Sequence, residues 1–467
     1  MQLVQKAFII PFIVACAMFI EAVDANIVVT ALPSIARDFG RDPVALQIAV
    51  TSYVVGLGVF IPICGWMADR FGARRIFGTA IGLFIVASLL CAVAQSLAML
   101  TVARFIQGIG GAMMVPVGRI LIFRAMPRHE LVRAMNYISL PALLGPAFGP
   151  LLGGFLTTYL HWRLVFLINL PIGLYGVWLT RRFIPYTREA HPGRLDWTGF
   201  VLSAIGGAVL LLGLSLIGGA LVPTRYALVL CAIGATMVGS YVFYARRVAL
   251  PLLDLRFFRI PTFQASVLGG SLFRIGLGAW PFLLPLSMQE AHGMTAFQAG
   301  GIACGSAVGG MFMKSLAPRA LRRFGFRTTL LYNAAFAGVA IAICGLLFPG
   351  TPVWLIWLVV LLGGFFPALQ FTGLNTLAYA EIKSTEVGRA TSLASVVQQL
   401  SLGLGVTIAG MVVQATRALH GSATLGWEDF APAYFVVGLF SLMSIPVTRR
   451  LAPGTGDDIA RGHRAKE

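Results

Sequence analysis

Apolar runs of about twenty residues recur from one end of this chain to the other, and they constrain the fold more than any other feature. Each is long enough to cross roughly 30 Å of hydrocarbon as a helix. In lipid, only helices and closed barrels satisfy every backbone amide and carbonyl. A barrel would show alternating segments of about ten residues, and these are absent. Charged residues make up 11% of the 467 positions, against roughly 25% in soluble domains. The chain is thus read as an all-α polytopic membrane protein. Fourteen spans are expected, over roughly 8–32, 44–66, 76–95, 98–122, 134–160, 163–182, 197–219, 225–245, 262–288, 296–316, 328–348, 353–378, 390–415 and 431–448. The first exceeds a signal-peptide core in length and lacks a small-residue cleavage site, so it reads as an uncleaved span.

A net charge of +18 would suit nucleic acid if the basic residues shared one face or tail. They cluster instead between alternate runs. Arg70, Arg74 and Arg75 follow the second span, Arg124, Arg128 and Arg133 the fourth, and Arg181, Arg182, Arg188 and Arg194 the sixth. Arg246, Arg247, Arg256 and Arg259 follow the eighth, Lys314, Arg319, Arg322, Arg323 and Arg327 lie at and after the end of the tenth, and Lys383 and Arg389 follow the twelfth. The intervening loops hold only Arg37, Arg41, Arg163, Arg225 and Arg417. Basic loops stay in the cytoplasm, so both termini are expected there, as an even span count also requires. The lipid bilayer is the expected partner, and nucleic acid is not.

The stretch RFGARR (70–75) after the second span is echoed by RFGFRT (323–328) after the tenth. If spans seven and eight are an inserted pair, the two turns hold matching places in two six-helix halves. The expected organisation is an N-terminal bundle over 1–185, an inserted pair over 195–248, a C-terminal bundle over 260–450 and a cytoplasmic tail over 451–467. Repeats of this kind are a transporter plan with the substrate site at the repeat interface.

Ionisable groups inside spans cost several kcal/mol unless paired or hydrated. Glu21 and Asp24 lie three residues apart on one face of the first span. Arg104 lies early in the fourth span with Gln107 one turn later, and Arg274 near the middle of the ninth. The first span runs outward and the fourth inward, which puts Asp24 and Arg104 at similar depth. They are a candidate pair, either a static buried ion pair or a proton switch in which protonated Asp24 releases Arg104. Glu21 is either a second coupling acid or an anion that attracts a cationic substrate. Arg274 either binds an anionic or zwitterionic substrate or balances Glu21. The candidate cavity residues are Glu21, Asn26, Gln107, Arg274, Asn375 and Gln398, beside the aromatic candidates Phe273, Trp280, Phe282, Phe365 and Phe366.

The loop GWMADRFGARR (65–75) resembles the signature between helices two and three of the major facilitator superfamily. Gly65, Asp69, Arg70, Gly72 and Arg74 fit it, while Ala73 stands where a basic residue is expected and Met67 where a leucine is. RFIQGIGGA (104–112) resembles the helix-four motif through Arg104, Gly108 and Gly111. GPAFGPLLGG (145–154) resembles the helix-five antiporter motif, with Gly145, Pro146, Gly149, Pro150, Gly153 and Gly154 in place. DANIVVTALP (24–33) is similar to a helix-one motif, with Asn26 and Val29 where Thr and Asn are usual, and HWRLVFLINLPIG (161–173) resembles a further signature. Together they resemble the fourteen-helix drug:proton antiporter branch. The resemblance implies two six-helix bundles plus two central helices, and export driven by inward proton flow through alternating access. It also implies that Asp24 is a proton-coupling acid whose deprotonation Arg104 assists. With it go the expectations of protons and a small-molecule substrate as partners, of the bacterial cytoplasmic (inner) membrane as the setting, and of a monomer.

Physical readings of two motifs accompany the resemblance. Glycines at four-residue spacing on helix five let helix backbones approach, and two prolines distort the helix, which suits a tight outer seam. In the gating loop, Gly65, Asp69, Arg70, Gly72, Arg74 and Arg75, Asp69 is expected to accept hydrogen bonds from a helix N-terminus. There Gly65 would allow close approach and Gly72 a tight turn, making a breakable cytoplasmic latch. No phosphate-binding loop, metal-ligand spacing or soluble domain points to an enzyme, an ATP-driven pump or a cofactor other than the proton gradient. The expected substrates are lipophilic cationic compounds, as in multidrug efflux. The alternative is a metabolite such as an amino acid, whose two charges Arg104 and Arg274 with Glu21 and Asp24 would complement.

Overall fold

The computed structural model describes residues 2–126, 131–186, 195–217, 222–248, 251–383, 386–421 and 424–452. Arg128, Arg188, Arg194 and the tail from 453 onward lie outside the described residues, as does the side chain of Arg133. The described residues contain helices and no strand. We number the long helices α1 (Gln2–Asp38), α2 (Pro43–Phe71), α3 (Ala73–Ala92), α4 (Leu97–Ala125), α5 (Leu131–Tyr159), α6 (Leu164–Phe183) and α7 (Trp197–Leu216). There follow α8 (Thr224–Ala245), α9 (Pro261–Glu290), α10 (Ala296–Phe324), α11 (Phe326–Leu346), α12 (Val353–Leu377), α13 (Val387–His420) and α14 (Trp427–Arg449).

Among the described residues, twelve of these are long and apolar enough to cross a membrane. The other two, α5 and α10, stand where the fifth and tenth spans were expected. At 29 residues each, they are roughly 43 Å long at 1.5 Å per residue.

Local chemistry sets several boundaries. Ser96 caps α4 by accepting from the Met99 amide, and Asp196 caps α7 by accepting from the Gly199 amide. Gly72, at φ 91°, separates α2 from α3 by a single residue, and Gly325, at φ 74°, does the same between α10 and α11. Both conformations disfavour any residue with a Cβ. The two Arg-Phe-Gly turns therefore share one local geometry.

The chain packs as two compact units, Met1–Tyr241 with Thr295–Gly300, and Val242–Met294 with Gly301–Glu467. In the first, Ile13, Val14, Phe77, Met114 and Val117 fill a core shared by α1, α3 and α4. Helix α7 packs on α2 through edge-on aromatic pairs, Phe60 with Phe200 and Trp66 with Trp197. In the second, Phe273, Phe326, Leu330 and Leu374 form the core, and α9 meets α13 backbone to backbone where Gly278 faces Leu402 and Gly405 faces Ile275. The aromatic residues expected to face a cavity divide here. Phe273, Trp280 and Phe282 are buried packing residues, and Phe365 and Phe366 are half-buried. On the loop before α9, Asp254 accepts from Arg256 and lies 3.6 Å from Arg389 at the start of α13. The Arg256 guanidinium holds the Asp254 carboxyl below the usual carboxylate range.

Candidate functional site

Helix α4 presents Arg104, Gln107, Gly108 and Gly111 on one face, since residues spaced three and four apart stack along a helix. The two glycines admit neighbours. A Cβ at Gly108 would lie 3.1 Å from the Gly56 Cα of α2, and one at Gly111 would lie 3.0 Å from the Tyr53 hydroxyl and 3.5 Å from Glu21. The two polar residues then meet Asp24 of α1. Arg104 Nη1 donates to Asp24 Oδ2 at 2.5 Å and to Gln107 Oε1 at 2.6 Å. Gln107 Nε2 donates to Asp24 Oδ1 at 2.8 Å, and Asn169 Nδ2 of α6 donates to the same oxygen at 2.7 Å. Ser88 Oγ of α3 accepts from both amides. Every member of this network is at least 98% buried.

The pair is therefore sealed, but Arg104 is held at one point. Among the described residues both of its side-chain hydrogen bonds leave from Nη1, and its buried Nε has no acceptor. A bidentate fork would be the stronger arrangement. The guanidinium also lies 4.3 Å over the Tyr53 ring, a cation–π contact. The Tyr53 hydroxyl in turn donates to Glu21 Oε1 at 3.2 Å. Tyr53 thus touches both the Asp24–Arg104 pair and the second acid, which is half-buried one turn earlier on α1. Removing one partner of a buried pair costs about 3–5 kcal/mol, so the arrangement persists only while both charges are present. Asn169→Leu, which deletes a neutral donor to Asp24, is expected to lower stability by about 1–3 kcal/mol. Thermal unfolding in detergent measures this, and an unchanged midpoint would remove Asn169 from the network.

The helix-five glycines form a seam against α1. A Cβ on Gly145 would lie 2.8 Å from the Ala22 carbonyl oxygen, and one on Gly149 2.8 Å from Asn26 Cβ and 3.0 Å from the Val23 carbonyl oxygen. Gly153 faces Ile27 and Thr30 in the same way, so the stripe runs along the stretch of α1 that carries Glu21 and Asp24. Gly154 turns to another neighbour, Ala296, within the same unit. Pro146 is exposed and Pro150 buried, and α5 continues through both. Asn26 is half-buried and donates to the Ala22 carbonyl.

In the loop between α2 and α3, Asp69 accepts from Arg124 of α4 at 2.6 Å, with both side chains part-exposed. This corrects the expectation of a helix N-terminus as its partner. The last turn of α4 brings a guanidinium to that height, and a charge-assisted bond forms there. Exposed pairs of this kind are worth about 0–1 kcal/mol, which suits a contact that breaks readily. Gly65 has nothing within 4 Å of where a Cβ would stand, so the close approach expected there is not made. Gly72 makes the expected turn. Arg70 is exposed, Arg74 donates to the Arg181 carbonyl at the end of α6, and Arg75 lies 4.7 Å from the Tyr186 ring.

In the second unit, buried Arg274 donates to the Ser266 carbonyl at 3.1 Å and to Asn375 Oδ1 at 3.0 Å. Ser266 lies in a π-turn of α9, Ala265–Gly269, where the wider turn disturbs the regular ladder. No carboxylate among the described residues is within ion-pair distance of Arg274. Gln398 is half-buried on α13. Gln107, expected at the cavity, is instead enclosed in the Asp24 network. Ser88, Tyr53 and Asn169 carried no site expectation from sequence. Only Asn169 had a signal, its place in the 161–173 signature.

These features can be set beside known proteins. The family model described as Major Facilitator Superfamily matches residues 14–406. A protein named multidrug resistance protein MdtD from Salmonella paratyphi A is 39% identical over 439 residues, covering 93% of this chain and 91% of the relative. The protein of that name from Salmonella typhimurium matches to the same extent. Among solved structures, a D-xylose-proton symporter is similar in fold at TM-score 0.71 and 15% identity, over 96% of this chain and 99% of that one. An auto-inhibited POT family peptide transporter is similar at TM-score 0.70 and 18% identity, over 96% and 97%. By its family match, its relatives and its fold, the chain belongs to the major facilitator superfamily.

Proposed function

We propose that this protein is a proton-coupled antiporter that exports small lipophilic, cationic compounds by alternating access. The observation that carries the reading is the sealed Asp24–Arg104 pair, with Glu21 linked to it through Tyr53. A proton reaching Asp24 cancels its charge and removes the main attraction holding Arg104. Arg104 is then free to turn, and Glu21 is the nearby anion suited to a cationic cargo. The name borne by the relatives, multidrug resistance protein, supports the substrate class. We further propose fourteen crossings, with bundles over 1–185 and 260–450 around an inserted pair over 195–248. The setting is the bacterial inner membrane, with cytoplasmic termini and a monomeric working unit.

The test is ethidium transport in proteoliposomes under an imposed pH gradient. Ethidium moving against its own gradient, with protons moving the other way, is the expected result. Glu21→Gln is expected to slow ethidium by about tenfold, the worth of roughly 1.4 kcal/mol of lost charge attraction. The second reading, export of a zwitterionic metabolite, is favoured by Arg274, a buried cation bonded among the described residues only to neutral acceptors. Proton-driven movement of an amino acid but not of ethidium, abolished by Arg274→Gln, would install it instead.

A further inference from the structure

The glycines of α3 raise a question that helix packing does not answer. On α5, glycines stand where a Cβ would strike the backbone of α1. On α3, Gly82 has nothing within 4 Å of a Cβ position, and Gly78 has only a Thr180 methyl at 3.6 Å. Neither is needed for close approach, and each costs a helix interior roughly 0.5–1 kcal/mol relative to alanine. What the two share is a place on the floor of a groove of about 920 Å³ between α3 and the end of α6. Leu83, Val86 and Val177 are its apolar walls, and Arg74, Arg75 and Arg181 stand at one end beside Tyr186.

Charge is distributed unevenly along this groove. Among the described residues no acid lines it and none of the three arginines is within ion-pair distance of a carboxylate, whereas nearby Arg124 is paired with Asp69. From Arg75 to Val86 the apolar stretch rises roughly 16 Å along the helix. Its rim is continuous with apolar surface, since Val86 is 55% exposed and Leu174 and Trp178 on α6 are also exposed. The groove therefore has a cationic head, a low apolar floor and a side open to the bilayer. Basic pockets between membrane helices have this chemistry for lipid head groups.

We propose that the groove between α3 and α6 is a binding site for an anionic phospholipid, with its phosphate on Arg74, Arg75 and Arg181 and an acyl chain lying over Gly78 and Gly82. A zwitterionic lipid matches the floor but brings a cation to an arginine cluster. A soluble phosphate matches the cluster but leaves the floor unused.

Native mass spectrometry of the purified full chain, titrated with phosphatidylglycerol or with phosphatidylcholine of identical acyl chains, tests the site. Phosphatidylglycerol is expected to bind roughly a hundredfold more tightly, at about fivefold for each of the three guanidiniums engaged. The double variant Arg75→Gln with Arg181→Gln is expected to lose roughly twentyfold of that affinity and little of the phosphatidylcholine binding. Gly82→Leu, at a position where a Cβ has nothing within 4 Å, puts a side chain on the floor and is expected to weaken both lipids. The arginine variant changes exposed side chains and carries the test even if the leucine variant fails to fold. Equal binding of the two lipids, or undiminished phosphatidylglycerol binding in the arginine variant, overturns the proposal. Displacement of phosphatidylglycerol by millimolar glycerol 3-phosphate overturns it too, by assigning the cluster to a soluble anion.

Discussion

Asp24→Asn is expected to lower proton-driven transport by roughly 10²-fold or more, the usual worth of a group that must take and give a proton. It is also expected to destabilise the protein by about 3–5 kcal/mol, because Arg104 is left as an unpaired buried charge. Activity and stability fall together, so the single variant cannot separate a proton switch from a structural ion pair. Adding Arg104→Gln does. With both charges gone, the buried site holds only neutral polar groups, and the two introduced amides can exchange hydrogen bonds with Gln107, Asn169 and Ser88. Removing both members leaves no uncompensated buried charge, so thermal stability is expected to return toward that of the unmodified chain. If the pair is only structural, transport returns with it. If Asp24 carries the proton, transport stays down while counterflow of substrate without a gradient persists. Melting curves and paired uphill and counterflow assays on the two single variants and the double variant decide between these outcomes. Recovered uphill transport in the double variant would end the coupling role of Asp24.

That pair was legible in the sequence because topology assigns depth, and two opposite charges in apolar helices at one depth have a strong reason to meet. The face of α4 was legible as well, since Arg104, Gln107, Gly108 and Gly111 repeat at helical spacing. What faces that stripe was not legible. Periodicity fixes the side of a helix on which a residue lies, but the neighbour on that side is chosen by the packing of the whole unit. Ser88 is one serine among many in the spans, and nothing on α3 marks it as an acceptor for Gln107 and Asn169. Tyr53 was equally silent, because its role depends on Arg104 and Glu21 reaching it from two other helices. Gln107 was placed at the cavity from its polarity, yet the same polarity is what allows it to be sealed beside a carboxylate. Asp69 needed a donor, and a helix N-terminus was the expected one, whereas the packing of α4 brings the Arg124 guanidinium to it. The π-turns in α7 and α9 have no periodic signature, so the carbonyl of Ser266 that Arg274 holds could not be anticipated.

The glycine seam supplies the second large effect. Gly149→Ala adds one methyl group, yet its Cβ would stand 2.8 Å from Asn26 Cβ and 3.0 Å from the Val23 carbonyl oxygen. Comfortable contacts lie near 3.5–4.0 Å, so the two helices must separate by roughly 0.5–1 Å. A rotamer change offers no relief, because the obstacles are the Val23 backbone and the first carbon of a side chain. Overpacking of this kind costs about 1–3 kcal/mol. The functional cost is expected to be larger, because the displaced stretch of α1 lies between Glu21 and Asp24 on one side and the seam on the other. A misplacement of about 1 Å at a reacting group is worth up to 10²-fold, and we expect transport to fall by about tenfold or more. Gly239→Ala is the matched control, since nothing lies within 4 Å of its Cβ position on α8, and alanine there is expected to be neutral or stabilising by about 0.4–1 kcal/mol. Uphill transport and thermal unfolding of the two variants, measured side by side, separate a seam that positions α1 from ordinary small-residue packing. Loss of stability without loss of transport in Gly149→Ala would reduce the stripe to packing. A proton leak in that variant, absent from the Gly239→Ala control, would instead identify the seam as the barrier that keeps Asp24 from connecting to both sides of the membrane at once.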